Sequence, residues 1–381
     1  MGILYSSCQH KTENSYQKNN KVSETILDLG ALPISTPSPK NNPSTPEKIA
    51  LGRLLFFDPI LSGNKDVACA TCHLPEFNFA EFMETSIGVN GLGTGSKRRF
   101  LEPNDIPFVK RNSQAVLNTA FNGIQNNVPY EAESAPMFWD SRAKGLEAQA
   151  VMPIKTFEEM MGHAYTEENI IPAILKRVKS IPTYQQLFEN AFGKDAINES
   201  NLGKAIASYE RTLVATNTRF DQYMRGDSNA LSLSEKDGMN LFLKTGCAKC
   251  HSGPMFSDYK QHTLGVPDTG NRNETDTGTD GQYKFRTPTL RNLRYTAPYM
   301  HSGKFATLEQ VLLFYEDISG GKILNPNVNP AQMDTLATHM DVKFKDISRI
   351  LEFLNCLNDD NFDKSVPNEV PSGLPVKGNV Y

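Results

Sequence analysis

Two short stretches decide the fold: Cys69-Ala70-Thr71-Cys72-His73 and Cys247-Ala248-Lys249-Cys250-His251. Both have the form Cys-x-x-Cys-His, which is the signature of covalent c-type haem attachment. The two thiols lie about one helical turn apart and can reach both vinyl groups of one porphyrin, while the adjacent histidine ligates the iron. The sequence therefore predicts two covalently bound haem c groups, with His73 and His251 as iron ligands.

Zinc binding and thiol redox chemistry are the alternative interpretations of these cysteine pairs. A zinc site does not require the same histidine placement beside both pairs. A thioredoxin-like site requires a βαβ context, and the sequence shows none. Because c-type haem is attached outside the cytoplasm, two such motifs predict a periplasmic or outward-facing protein.

The composition and charge of the chain argue against several classes of protein. The 381 residues carry a net charge of −4 and a pI near 6.0, which argues against a nucleic-acid partner. The chain has no run of 18 apolar residues that would predict a membrane-spanning helix. Six cysteines are too few for a disulfide scaffold in a chain of this length.

Residues 1–45 form a lipoprotein-like segment followed by a Pro-rich linker. The start MGILYSSCQHK predicts a lipid anchor at Cys8, although seven preceding residues are too few for a signal peptide. A disordered terminus with a stray thiol is the alternative. Residues 9–47 are polar and contain five closely spaced prolines, a composition that favours an extended linker over a packed segment.

From Pro46 onward, apolar residues recur mainly at helical spacing. Such stripes cover 202–213, 308–315 after a predicted N-cap at Thr307, and 347–354. The polar, glycine-bearing stretches 88–111 and 265–284 are predicted to be long loops. Cys356, in the last helix, is expected to be a buried structural thiol.

The chain from about Thr45 to Leu357 resembles the bacterial di-haem cytochrome c peroxidases and their MauG-like relatives. Besides the haem motifs, the segments that carry the resemblance are Leu51–Pro59, Arg111–Ser113, Phe138–Arg142, Gln149-Ala150, Pro153-Ile154, Glu159-Met160, Phe285–Asn292, Thr296–Gly303 and Thr307–Glu309. The resemblance implies a mainly α fold of two cytochrome c-like domains, each around one haem, with long irregular loops. The implied parts are a peroxidatic haem domain at 46–214, an electron-transfer haem domain at 215–357, and a tail at 358–381 that returns to the first domain.

The resemblance also assigns catalytic roles. The family's peroxidatic haem is the first one, and its iron offers an open position. Trp139 matches the tryptophan between the haems, where an indole can relay electrons; a core anchor is the alternative. Glu159 and Gln149 match distal-pocket residues. A buried carboxyl with a raised pKa can move a proton between the peroxide oxygens, and an amide can hold the peroxide. The adjacent Glu158 is the other candidate for the role given to Glu159. The alternative interpretation is that both are exposed carboxylates on a helix.

Asn112, Thr296 and Pro298 match an interdomain calcium site of the family. Carbonyl and amide oxygens together with waters suit Ca²⁺, so a site without carboxylates is chemically reasonable. The resemblance therefore implies one Ca²⁺ in addition to the two haems.

Two positions depart from the peroxidase pattern. Family peroxidases carry a histidine that caps the first haem iron until the other haem is reduced. Val89 stands at that position, and none of the seven histidines falls within 74–162. The first iron is therefore predicted to be open at rest, without reductive activation. His163 could replace the missing ligand only by a large rearrangement.

The second departure concerns the other ligand of the second haem. Where peroxidases supply a methionine, Tyr315 is expected to ligate the iron, as in MauG-like proteins. A phenolate stabilises ferric iron and lowers the potential, whereas methionine raises it. The alternative is that Tyr315 is a core residue and that Met300, His301 or Met255 ligates the iron.

The leading hypothesis is a peroxidase that reduces H₂O₂ with electrons from a small cytochrome c or cupredoxin. The alternative is a MauG-like enzyme that uses high-valent iron to oxidise side chains of a partner protein. A third class is an electron-transfer or haem-sensing protein without turnover. The resemblance also implies that a homodimer is common.

Overall fold

The computed structural model describes residues 29–271 and 274–381. Cys8 and its predicted lipid anchor lie outside the described residues. Helices dominate, and they are α1 Pro46–Phe57, α2 Cys69–Cys72, α3 Leu146–Gln149, α4 Met152–Lys155, α5 Glu167–Lys179, α6 Pro182–Phe192, α7 Glu199–Glu210, α8 Arg219–Met224, α9 Leu233–Lys244, α10 Leu308–Ser319, α11 Thr335–Thr338 and α12 Ile347–Asn355. Within the described ranges, no helix is both long and apolar enough to span a bilayer.

Strands are few and short. They form three antiparallel pairs: β1 Gly91–Leu92 with β2 Arg99–Phe100, β3 Pro136–Met137 with β4 Ala143–Lys144, and β5 Gln261–Thr263 with β6 Lys284–Arg286. The mainly α prediction is therefore confirmed. Within their described residues, the predicted loops 88–111 and 265–284 contain only short strands, turns and the 3-10 helix Gly95–Lys97.

A close helix crossing organises the N-terminal half. Helix α1 begins at the Thr45 N-cap, whose side chain accepts a hydrogen bond from the Lys48 backbone N–H, with Pro46 in the first turn. At Gly52, α1 contacts α7 so closely that a Cβ would lie 1.8 Å from the Ala205 carbonyl oxygen. Tyr209 packs beside the same contact. Only glycine allows the two backbones to approach this far.

The C-terminal half repeats the crossing with α9 and α12. A Cβ on Gly238 would lie 2.0 Å from the Arg349 carbonyl oxygen, and Phe353 takes the place that Tyr209 has in the first half. Helix α9 begins with a capping box, in which Ser232 and Glu235 satisfy each other's backbone N–H groups.

Two asparagines add a second matching feature. Asn118 and Asn292 both adopt left-handed backbone conformations, with φ of 67° and 59°. Their backbone N–H groups donate to Leu213 and Leu357, just beyond α7 and α12. Their side-chain amides donate to the carbonyls of Ala215 and Asp359. Each half therefore ties a loop to the chain that follows its last helix in the same way.

The segments at both ends pack on this frame. Leu29 and Leu32 are buried, and the Asn42 amide donates to Glu147 and to the Lys204 carbonyl. Residues 29–45 therefore pack against the folded protein, whereas their composition predicted a free linker. They do so because scattered apolar and amide side chains contact residues in both halves. Near the C-terminus, Asn379 donates to the Asp66 carbonyl in the N-terminal half.

The three predicted helical stripes are confirmed. They fall in α7, α10 and α12, and Thr307 caps α10 by accepting a hydrogen bond from the Gln310 N–H. Cys356, directly after α12, is fully buried, as expected.

Two candidate haem sites and the region between them

The first motif presents a histidine that is already oriented for metal binding. His73 follows α2, and its Nδ1 lies 3.1 Å from the Phe79 carbonyl oxygen and 3.3 Å from the Ser113 hydroxyl. Because a carbonyl can only accept, Nδ1 carries the proton and Nε2 keeps its lone pair. Burial lowers the pKa of His73 to about 4, so the imidazole is neutral and able to ligate iron.

The second motif has the same arrangement. His251 Nδ1 lies 2.9 Å from the Phe256 carbonyl oxygen, and burial lowers the pKa of this histidine too. None of the four motif cysteines forms a disulfide, so their thiols are available for thioether bonds. The donor set at both motifs fits a covalently attached haem with one histidine ligand.

A cavity adjoins the second motif. Cys247, Cys250 and His251 line one part of it. One face of α10 lines another part, through Leu308, Val311, Leu312 and Tyr315. The Tyr315 hydroxyl has no hydrogen-bond partner among the described residues, and burial raises its pKa. The predicted inward face of α10 is therefore confirmed, while ligation by Tyr315 stays a prediction.

The alternative ligands also line this cavity, and each packs against neighbours of its own. Met255 packs with Leu32 and Phe121 in a separate apolar cluster. The His301 ring stacks on Phe285, with centroids 3.5 Å apart. Met300 packs in the cluster that contains Tyr315.

Glu159 lies on an unusual turn beside the first motif. Residues Phe157–Met161 form a π-helical turn, a feature that often occurs at functional sites. Two glycines hold this turn: a Cβ on Gly88 would lie 2.2 Å from the Glu159 carbonyl oxygen, and one on Gly63 would lie 2.0 Å from that of Met161. The loop that follows the first motif therefore positions Glu159 directly.

The chemistry of Glu159 suits proton transfer. Burial, with a smaller effect from Glu158, raises the pKa of Glu159 to about 7. Gln149, at the end of α3, is partly buried. Neither the Glu159 carboxyl nor the Gln149 amide has a hydrogen-bond partner among the described residues, so both can bind a ligand. Their contact with a peroxide stays a prediction.

His163, two residues after this turn, packs its ring against Phe157, with ring centroids 4.9 Å apart. Val89 is fully buried in the apolar core of the N-terminal half. His163 points to the surface, where its Nε2 lies 3.0 Å from Asp105 and its side chain is 64% exposed. The open first site thus stays a prediction that these positions support.

Trp139 lies between the two motifs. Its indole Nε1 donates to the Asn112 carbonyl oxygen at 2.9 Å, and its own carbonyl accepts from the Arg286 N–H at 2.6 Å. It also lines the cavity of the second motif. Since Ser113, next to Asn112, contacts His73, residues 112–113 connect the tryptophan to the first motif.

The three predicted calcium ligands line the same cavity. The Asn112 amide nitrogen donates to the Met83 and Glu84 carbonyls, which leaves its carbonyl oxygen free to face a cation. The Thr296 hydroxyl contacts the Leu293 carbonyl, and Pro298 follows a cis peptide bond. The three residues thus line one cavity, and a Ca²⁺ ion between them stays a prediction.

Sequence reasoning missed three residues of these sites. Glu81 is 1% exposed, neither of its oxygens has a hydrogen-bond partner, and burial raises its pKa to about 7. Ser113 contacts the first histidine, and Arg286 touches the backbone of Trp139. Ser113 and Arg286 lie inside segments that carry the family resemblance, but only their contacts distinguish them from their neighbours.

Comparisons with known proteins agree with this geometry. The family described as di-haem cytochrome c peroxidase matches residues 46–229. The methylamine utilization protein MauG of Methylorubrum extorquens is 38% identical over 307 residues, 77% of each chain. The cytochrome c551 peroxidase of Nitrosomonas europaea is 32% identical, over 93% of this chain and 98% of the relative. A crystal structure of a MauG-like protein associated with microbial copper homeostasis has a TM-score of 0.68 and 26% identity, over 86% of this chain and 95% of that one.

Proposed function

The chain belongs to the di-haem cytochrome c peroxidase and MauG family, and from this premise we propose that it reduces H₂O₂ to water with electrons from a small cytochrome c or cupredoxin. One observation carries the peroxidase assignment. Glu159 has a carboxyl with a pKa raised to about 7 and no hydrogen-bond partner among the described residues, and it is held next to the loop of the first motif.

Two haem c groups are the cofactors that the motifs would hold. Cys69, Cys72 and His73 would hold the peroxidatic haem within residues 46–214, and Cys247, Cys250 and His251 the electron-transfer haem within 215–357. When bound, the haem pair supplies peroxide binding, O–O bond cleavage and one-electron transfer. The repeated helix crossings at Gly52 and Gly238 support two cytochrome c-like domains.

Glu159 handles the proton during this reaction. With a pKa near 7, a large fraction of this carboxyl is ionised at neutral pH and can accept a proton from one peroxide oxygen. The same carboxylic acid then returns the proton to the departing oxygen. Gln149 holds the peroxide through its amide. Overall, one H₂O₂, two protons and two electrons give two waters.

Trp139 carries the electrons between the two sites. Its indole hydrogen bond to Asn112 and the backbone bond from Arg286 fix its orientation between the motifs.

Tyr315 is the proposed second ligand of the electron-transfer haem. Asn112, Thr296 and Pro298 would supply oxygens to one Ca²⁺. Because Asn112 also binds the indole, this ion would keep the tryptophan in place.

Turnover of the oxidised protein tests the proposal. Fully oxidised protein is mixed with H₂O₂ and a reduced small cytochrome c, and oxidation of the donor is followed. Fast turnover without reductive pretreatment is expected, because Val89 cannot ligate iron and His163 is held at the surface. Turnover only after reduction of the second haem would contradict the open first site. No reaction with peroxide would favour a pure electron-transfer or haem-sensing role.

A MauG-like oxidation of a partner protein is the second candidate. It is favoured by the Tyr315 hydroxyl, which lines the second cavity without a partner, and by 38% identity to a MauG. In that case peroxide would change the haem spectrum while the small donor is oxidised only slowly. The substrate would then be a docked protein. A periplasmic location, the anchor at Cys8 and a homodimer complete the proposal.

A further inference from the structure

Arg286 is a buried cation whose guanidinium is poorly satisfied by the protein. It ends β6, is 4% exposed and lines the cavity of the second motif. Its Nε donates to the Phe138 carbonyl at 2.9 Å. Its other two hydrogen bonds are long, at 3.5 Å to the Thr287 carbonyl and 3.4 Å to the Gln114 amide oxygen, and the guanidinium carbon lies 5.9 Å from the centroid of the Tyr259 ring. All three acceptors are neutral.

The other buried arginines have either a carboxylate partner or several hydrogen bonds to backbone carbonyls. Arg111 pairs with Asp276 and Asp140, Arg211 with Glu147, and Arg291 with Asp221. Arg98 has no ion pair, but it donates to four backbone carbonyls. Among the described residues, no carboxylate lies within ion-pair distance of Arg286.

A buried guanidinium without a counter-charge is costly, so this position calls for an anion. Asp140 is an acidic neighbour, but Arg111 and Arg142 already bind it. The anion must therefore come from what fills the cavity. A haem carries two propionates, on the porphyrin edge opposite the vinyl groups that the motif thiols bind.

We propose that Arg286 binds a propionate of the haem held by Cys247, Cys250 and His251, through the two terminal nitrogens of its guanidinium. A planar guanidinium matches a carboxylate in a bidentate manner, which lysine cannot reproduce. The inference rests on the proposed haem in this cavity.

This contact gives Arg286 a positioning role in electron transfer. Its backbone N–H donates to the Trp139 carbonyl, and its Nε holds the neighbouring Phe138 carbonyl. The residue that binds the propionate thus also fixes the backbone of the indole. One residue would then contact both the second haem and the backbone that holds the indole.

Potentiometry of the holoprotein tests this role. The variants Arg286→Gln and Arg286→Lys are titrated and followed by optical and EPR spectra that distinguish the two haems. Loss of the cation in Arg286→Gln should shift the midpoint potential of the second haem downward, because a positive charge favours the reduced, more negative haem. Arg286→Lys should retain most of the wild-type potential. Arg294→Gln removes a cation that is 45% exposed and should shift neither haem.

The possible results distinguish a failure of the propionate contact from a failure of the haem assignment. A haem content below two in the wild-type protein would refute the cofactor assignment. Two haems with an unchanged second potential in Arg286→Gln would overturn the propionate contact, and a shift at the first haem alone would overturn its assignment. Should Arg286→Gln not fold, resonance Raman spectra of Arg286→Lys serve instead. Displaced propionate bending bands are expected there, and unchanged bands would refute the contact.

Discussion

The two haem motifs have the same hydrogen bond at the histidine and the same helix crossing, and they differ in the other side chains around them. His73 and His251 both donate through Nδ1 to a phenylalanine carbonyl, and a glycine crossing of two helices supports each motif. The surroundings then diverge. Buried carboxyls with raised pKa values, Glu159 and Glu81, lie near the first motif, whereas Tyr315 and Arg286 line the cavity of the second.

This difference separates proton chemistry from electron transfer. A carboxyl that titrates near neutral pH can exchange protons with a substrate, which is useful only where a substrate binds. In the proposed function, a phenol and a buried cation would instead set the redox potential of a haem that passes electrons. One scaffold can therefore serve both purposes, because loops outside the helix crossing supply the distinguishing side chains.

The largest expected effect is at the first site. In Glu159→Gln, the proton acceptor is lost, so kcat/KM for H₂O₂ should fall by about 10²- to 10⁴-fold. In the wild-type protein, kcat/KM should rise with pH and level off above the pKa of about 7, because only the ionised carboxyl accepts a proton. Stopped-flow peroxide kinetics between pH 5 and 9 measure both effects.

Glu158→Gln is the matched control, since it removes the adjacent carboxyl on the same turn. It should leave the rate nearly unchanged and move the inflection of the pH profile only slightly lower, because Glu158 has a small effect on the pKa of Glu159. Equal losses in both variants, or a pH inflection that persists in Glu159→Gln, would refute the assignment of Glu159.

The next effect concerns the second site. Tyr315→Met should raise the midpoint potential of the second haem and create a methionine-to-iron charge-transfer band. Axial ligands set haem potentials over a range of about 0.8 V, so the rise should be large. Tyr283→Phe changes another tyrosine that lines the same cavity and should do neither. An unchanged potential and spectrum in Tyr315→Met would mean that another residue ligates this iron.

The shared helix crossing can be broken in either half. Gly52→Ala and Gly238→Ala each push a methyl into a backbone carbonyl, at 1.8 Å and 2.0 Å, so each should lower the free energy of unfolding by about 1–3 kcal/mol. Guanidinium unfolding followed at the haem bands measures the loss. Gly270→Ala meets no atom within 4 Å and is the control. Full stability of one crossing variant would show that the two halves are not equivalent.

The smallest effect concerns a cap that the two halves do not share. Glu235 closes the capping box of α9, whereas Lys48 occupies the same position in α1. Hydrogen bonds from Arg219 and from the Ser232 backbone, against the effect of burial, lower the pKa of Glu235 to about 2. Because glutamine can also close a capping box, Glu235→Gln removes mainly the charge that binds Arg219, and it should cost about 1 kcal/mol of stability at pH 7.

The pH dependence of this cap follows from the sign of the shift. A lowered folded-state pKa stabilises the fold above the unfolded value of about 4.3, and the gain is lost as the pH falls toward 2. Wild type and Glu235→Gln should thus converge in this window in thermal melts. Glu309→Gln, in the first turn of α10, should show no such convergence. A constant difference down to pH 2 would contradict the cap.

The sequence alone determined the haem attachment residues, the mainly helical class and three helix positions. It could do so because thiol and imidazole spacing and helical periodicity are local properties of the chain. Only the tertiary structure decided how residues far apart in sequence share one environment. Gly88 meets Glu159, Asn112 meets Trp139, and Arg286 lacks a counter-charge because of packing between segments 27 to 148 residues apart. Burial, hydrogen-bond satisfaction and pKa depend on the surrounding protein rather than on neighbours in sequence, and those quantities distinguish the two sites.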